Sequence, residues 1–129
     1  MRYLLDTHTF LWMAADPGRL SEKVRVLVQE ANCKLYLSAA SGWEVALLSM
    51  LKHIELPDKP QRFIPEAMQR LHIVPIPISF TTAISAAMLP LIHRDPFDRI
   101  MVAEAEKEKM IVLTKDPAFA KYGIQTFWK

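Results

Sequence analysis

Four short apolar runs punctuate the chain: Tyr3-Leu4-Leu5, Leu35-Tyr36-Leu37, Ile73-Val74-Pro75-Ile76 and Ile111-Val112-Leu113-Thr114. Segments with helical patterning separate them. This alternation is the tightest constraint on the fold. Strands that alternate with helices pair in parallel through crossover connections, so the expected architecture is a three-layer α/β/α sandwich around a mostly parallel sheet. Pro75 marks the third run as an edge strand or an early stop. Residues 124–127 offer a fifth strand. The spacing predicts helices over 7–15, 22–31, 39–52, 61–71, 80–89 and 96–109. Ser21 and Ser38 are suited to cap the second and third of these, and Asp95-Pro96 to open the last.

The 129 residues suffice for one domain, expected to span 1–129, with a sizeable core. Net charge is +2, so any nucleic-acid partner needs a local basic patch rather than an overall basic field. Cys33 is the only cysteine, which excludes an internal disulfide and a CxxC redox site and fits a reducing, cytoplasmic setting. Residues 73–92 carry no formal charge. Their prolines and hydroxyl residues point to a strand, a turn and a helix rather than a membrane span, and no leader sequence is expected.

Four acids stand where a stable core would not choose them. Asp6 ends the first apolar run and Asp116 follows the fourth. Glu44 shares a helical face with Ala40, Leu47, Leu48 and Leu51, and Asp98 shares one with Met101, Val102 and Ala105. Inward acids repel one another unless a proton or cation neutralises them, and a divalent metal held by carboxylates suits phosphate chemistry. Capping competes with this reading. Asp95 is a good N-cap, Asp98 then falls at N3 where it can close a capping box, and Asp116-Pro117 has the same form. Asp6 could likewise serve nearby backbone N–H groups.

With only three glycines, the chain has neither a GxxxxGK[ST] phosphate loop nor a GxGxxG fingerprint. His8, His53, His72 and His93 show no zinc spacing. His8 reads as a surface or supporting group beside Asp6. Arg94, Arg99 and Lys115 flank the acids and could steer phosphates, or could equally be solvated charges or salt-bridge partners. Trp12, Trp43 and Trp128 read as core or interface anchors. Apolar residues around Trp43–Leu51, or within 61–71, are candidate partner contacts.

Leu4-Leu5-Asp6-Thr7-His8, Ser41-Gly42-Trp43-Glu44-Val45-Ala46, Arg94-Asp95-Pro96-Phe97-Asp98-Arg99-Ile100 and Leu113-Thr114-Lys115-Asp116 together resemble the PIN domain. The DPFDR segment resembles one branch of the VapC-type toxins of bacterial type II toxin–antitoxin systems. The resemblance covers nearly the whole chain. It implies an Mg²⁺- or Mn²⁺-dependent ribonuclease whose acidic quartet is Asp6, Glu44, Asp98 and Asp116. Asp98 is preferred to Asp95 because it opens the segment Asp98-Arg99-Ile100-Met101-Val102-Ala103. Asp95 is an additional acid in this branch, and Thr114 matches the small hydroxyl residue that precedes the last acid by two. Thr7 adds a hydroxyl beside Asp6. The resemblance further implies a homodimer, an antitoxin whose tail fills the active-site groove, and an RNA substrate such as tRNA or another structured RNA. Two other readings compete: a catalytically silent PIN-like binding module and a phosphoacceptor signalling domain. The second lacks an Asp after Leu35-Tyr36-Leu37, where Ser38 stands instead.

Overall fold

A computed structural model describes residues 1–129. Strands β1 (Arg2–Leu5), β2 (Lys34–Ser38), β3 (Ile73–Ile76), β4 (Ile111–Leu113) and β5 (Thr126–Phe127) form one sheet in the order β3-β2-β1-β4-β5. Every neighbouring pair is parallel. Helices α1 (Thr7–Ala15) and α2 (Glu22–Val28) join β1 to β2; α3 (Ala39–Met50) and α4 (Pro60–Arg70) join β2 to β3. Helices α5 (Phe80–Ala87) and α6 (Pro96–Glu108) join β3 to β4, and a short 3₁₀ turn at Phe119–Tyr122 leads to β5.

The apolar runs are continuous rather than alternating because the central strands are covered on both faces. Tyr3, Leu5, Leu35, Leu37, Ile111 and Leu113 pack against Phe10, Met13, Val24, Val45, Phe63 and Ala67 from α1 to α4. Leu4 and Val112 point the other way, onto Met101, Val102 and Ala105 of α6 and onto Phe119. Pro75 lies in β3, an edge strand, where a missing N–H costs no ladder bond to a further neighbour.

Several helices stop short of the sequence expectation. α2 ends at Val28, α3 at Met50 and α6 at Glu108. Past α3, Lys52 turns left-handed at φ 60°, and Lys109 does so at φ 53° to close α6 through its N–H to the Ala105 carbonyl. Pro60 opens α4, while Pro65 lies within it and leaves the exposed Gln61 carbonyl to water. No helix is long and apolar enough to cross a membrane.

The strand order fixes where a site can form. From β1 the chain travels outward through β2 to β3, then returns to the other side of β1 to make β4. In an open parallel sheet, the crevice beyond the carboxyl ends of two strands at such a reversal is the natural place for a ligand.

Candidate active site

Leu5 of β1 pairs with Leu113 of β4, so the residues that follow these strands emerge side by side. Asp6 comes from the first and Thr114 to Asp116 from the second. Thr114 joins them: its hydroxyl donates to Asp6 Oδ2 at 2.7 Å and accepts from the Asp116 N–H at 3.0 Å. Thr9 Oγ1 donates to the Leu113 carbonyl at 2.8 Å and ties α1 to the end of β4.

Glu44 reaches the same crevice from α3. The fully buried Thr7 donates to Glu44 Oε1 at 2.6 Å, and its Oγ1 lies 3.0 Å from Ser41 Oγ. Asp98 arrives from the first turn of α6. With Pro96 at N1, Asp95 caps this helix by accepting the Phe97 N–H at 2.9 Å. The Asp95 N–H does not return to Asp98 but donates to His93 Nδ1 at 3.0 Å. Asp98 Oδ2 instead faces His93 Nε2 at 3.3 Å, with Asp116 Oδ2 at 3.9 Å from the same nitrogen.

Asp6, Glu44, Asp95, Asp98 and Asp116 thus line one cavity of about 500 Å³ together with His8, Trp12, His93, Lys115 and Pro117. Five acids meet one lysine there. Burial pushes the Asp6 and Glu44 carboxyls above their ordinary range, against the opposing pull of the Thr114 and Thr7 hydroxyls respectively. Asp98 is pushed up to about 8, first by burial and then by Asp95, Asp6, Glu44 and Asp116 around it. A cavity so short of positive charge holds either protons or a cation. Its donors are hard carboxylate oxygens converging from several elements, which suits Mg²⁺ or Mn²⁺.

All four quartet acids come together in this cavity, with Asp95 beside them. Lys115 is at the rim and exposed, and Arg94 is exposed outside the cavity lining. Arg99 meets neither alternative open to it in the sequence, phosphate steering or a solvated or salt-bridged charge. It is buried, and its guanidinium donates to the carbonyls of Ala87, Leu89, Pro90 and His93 and to the Tyr122 hydroxyl, at 2.9 to 3.4 Å. One residue beyond Asp98 on a helix is about 100° around the axis, so the two side chains leave in different directions. The cation nearest in sequence to Asp98 is therefore engaged elsewhere.

The face assigned to Glu44 also needs revision. α3 buries Ala40, Ser41 and Val45, whereas Leu47 and Leu51 are exposed. The helix is apolar around most of its circumference, so periodicity alone did not select the buried side. With the exposed Trp43 and Met50, Leu47 borders an apolar groove of about 770 Å³ against Ile64 and Pro65 of α4. Trp43 also packs edge-on against Phe97, centroids 5.1 Å apart, beside the acidic cavity. Trp12 and Trp128 pack on each other at 5.7 Å, as anchors would. His93 was not distinguishable in sequence from the other scattered histidines. Its only signal was its place just before the Asp95-Pro96 helix start.

A sequence model of the PIN domain matches residues 3–125. The chain belongs to the PIN family. Ribonuclease VapC22 of Mycobacterium tuberculosis (strain ATCC 25618 / H37Rv) is 30% identical over 114 residues, covering 88% of this chain and 85% of that relative. Among solved structures, VapBC2 from Rickettsia felis bound to a DNA fragment from its promoter aligns over 100% of both chains with a TM-score of 0.73 at 14% identity. VapBC-1 from nontypeable Haemophilus influenzae gives a TM-score of 0.66 at 14% identity, over 98% of this chain and 97% of that one. FitAcB from Neisseria gonorrhoeae gives 0.60 at 21% identity, over 97% and 96%. These structural likenesses support the PIN fold, within which the acids that follow β1 and β4 and those on α3 and α6 share one cavity.

Proposed function

We propose that this PIN-family chain is a metal-dependent endoribonuclease and acts as the toxin of a toxin–antitoxin pair. The observation that carries the proposal is the convergence of Asp6, Glu44, Asp98 and Asp116 on one cavity at the reversal of the sheet. The 30% identity to a VapC ribonuclease over most of both chains supports RNA as the substrate.

In this reading Asp6, Glu44, Asp98 and Asp116 would hold Mg²⁺ or Mn²⁺, and Asp98, whose carboxyl is pushed up to about 8 by burial and neighbouring acids, would have to give up its proton to do so. A divalent ion held there would supply water activation and charge neutralisation for phosphodiester hydrolysis. Thr7 and Thr114 fix the rotamers of Glu44 and Asp6 through short hydrogen bonds. Asp95 serves the start of α6 as its cap, which sets the direction of Asp98. Lys115 at the rim draws phosphate toward an otherwise acidic cavity, and the exposed Arg94 extends that attraction outward. The apolar groove between α3 and α4 adjoins the cavity through Trp43 and Phe97 and offers an antitoxin segment its surface. A homodimer in the cytoplasm completes the assignment.

The test is cleavage of structured RNA, including tRNA, by the purified protein and its Asp98→Asn variant, with Mg²⁺ or Mn²⁺ and with EDTA. Cleavage that needs the metal and is lost in the variant is expected. Metal uptake without cleavage of any RNA offered would favour the silent binding module instead.

A further inference from the structure

The nuclease reading gives no task to His93, yet several bonds fix its position. It lies in the loop between α5 and α6. Its N–H donates to the Tyr122 hydroxyl at 2.8 Å. Its carbonyl accepts from Arg99 Nη1 at 3.2 Å and from the Tyr122 hydroxyl at 3.3 Å. The buried Arg99 therefore serves the site indirectly, by holding the loop that delivers the imidazole.

The ring itself accepts the Asp95 N–H at Nδ1, 3.0 Å away. A nitrogen that accepts carries no proton, so the neutral ring carries its proton on Nε2. Nε2 lies 3.3 Å from Asp98 Oδ2 and 3.9 Å from Asp116 Oδ2. One ligand atom from each of these three residues lies within 4.8 Å of the others, a spacing that by itself would suit a metal bound by all three. The hydrogen bonds argue against it. To bind a metal, Nε2 must free its lone pair, which moves the proton to Nδ1 and sets it against the Asp95 N–H.

We propose that His93 is a positioning residue and not a metal ligand: its Nε2–H steadies Asp98, with Asp116 alongside, in the arrangement that a divalent cation enters. A proton on Nε2 gives Asp98 a partner within reach, among carboxylates that otherwise repel one another. This inference rests on reading the quartet as a metal site.

Three measurements test it. Long-range ¹H–¹⁵N correlation spectra of the metal-free protein should show His93 as the Nε2–H tautomer; the Nδ1–H form would overturn the proposal. Electron spin-echo spectra of the Mn²⁺-loaded protein should show no nitrogen coordinated by His93. A coordinated nitrogen that disappears in His93→Ala would make the residue a ligand and overturn the proposal. Calorimetric titration with Mn²⁺ should show affinity falling roughly 10–100-fold in His93→Ala. His93→Gln, whose amide N–H can reach the same carboxylate, should restore most of it. Unchanged affinity in His93→Ala overturns the positioning role alone, while no Mn²⁺ uptake by the wild type overturns the metal reading with it. Should His93→Ala fail to fold, the wild-type spectra and His93→Gln decide: affinity in the glutamine variant as low as about a hundredth of wild type counts against a donor role.

Discussion

Glu104 lies on α6, 3% exposed, with no hydrogen-bond partner for either carboxyl oxygen. Burial pushes its carboxyl from the ordinary 4.5 up to about 7, and the nearby Ser38 hydroxyl favours the anion without offsetting that burial. Replacing it with glutamine keeps the shape and removes the titration. Across this interval the folded protein holds the proton more tightly than the unfolded chain does. The acid's contribution to stability is therefore full below pH 4.5 and is lost as the pH rises through about 7. At about 1.4 kcal/mol for each pH unit, the loss is about 3 kcal/mol. Glu104→Gln should thus gain on the wild type by about 3 kcal/mol between pH 5 and pH 8, equivalent to roughly 10 °C in Tm. Urea unfolding of both proteins in EDTA, at several pH values and fixed ionic strength, measures it. Titration of the cavity acids is common to both proteins and cancels in the difference. Any fixed cost of burying the amide also cancels, because it does not change with pH. A difference that stays constant from pH 5 to pH 8 would refute the reasoning and mean that Glu104 is charged and satisfied in the fold.

Because Asp98 is pushed up to about 8, Mn²⁺ must displace a proton below that pH. Calorimetric affinity should rise with pH by up to about tenfold per unit and level off above 8, with proton release detectable in buffers of different ionisation enthalpy; a flat profile from pH 6 to 8 would count against it. Arg99→Lys loses the planar fork that serves several carbonyls at once and should cost about 2 kcal/mol in urea unfolding. Arg99→Gln, which removes the charge, should leave the salt dependence of RNA binding unchanged, because Arg99 faces carbonyls rather than solvent; a reduced salt slope in that variant would restore Arg99 to the phosphate path.

Strand identity was legible because β1 and β4 are buried on both faces, and such strands spell themselves as unbroken apolar runs. Their adjacency was not. Alternation specifies parallel pairing but not order, and the reversal that brings Asp6 beside Thr114 depends on which edge of β1 the returning chain joins. The α3 face was ambiguous for a related reason: Trp43, Val45, Ala46, Leu47, Leu48 and Leu51 are spread around most of the helix, so no single stripe stood out. Neither alternative weighed for Arg99, a phosphate contact or a solvated or salt-bridged charge, anticipated its burial among backbone carbonyls, because those carbonyls belong to the end of α5 and the loop after it, whose path the sequence does not specify. His93 was invisible because its role depends on a loop conformation, set by Arg99 and Tyr122, that no spacing rule encodes.

The acids themselves left a choice between capping and chemistry, and the hydrogen bonds bear on it directly. Asp6 stands at the N-cap of α1 and makes no side-chain capping bond there. Asp98 stands at N3 of α6, but the N–H that would complete a capping box with it goes to His93 Nδ1. Asp95 does cap α6, accepting the Phe97 N–H, but of the four acids Asp6, Glu44, Asp98 and Asp116 only Asp116 makes such a local bond, accepting the Ala118 N–H through Oδ1 at 2.9 Å, and its Oδ2 lies 3.9 Å from His93 Nε2. A capping bond is worth about 1 kcal/mol, and burying a carboxyl among others costs more than that. A chain shaped by stability alone would place a serine at Asp6 and close the box at Asp98. This one leaves both bonds unmade and holds the two carboxyls in a common cavity, so the arrangement is a cost in the metal-free protein that binding a cation would recover.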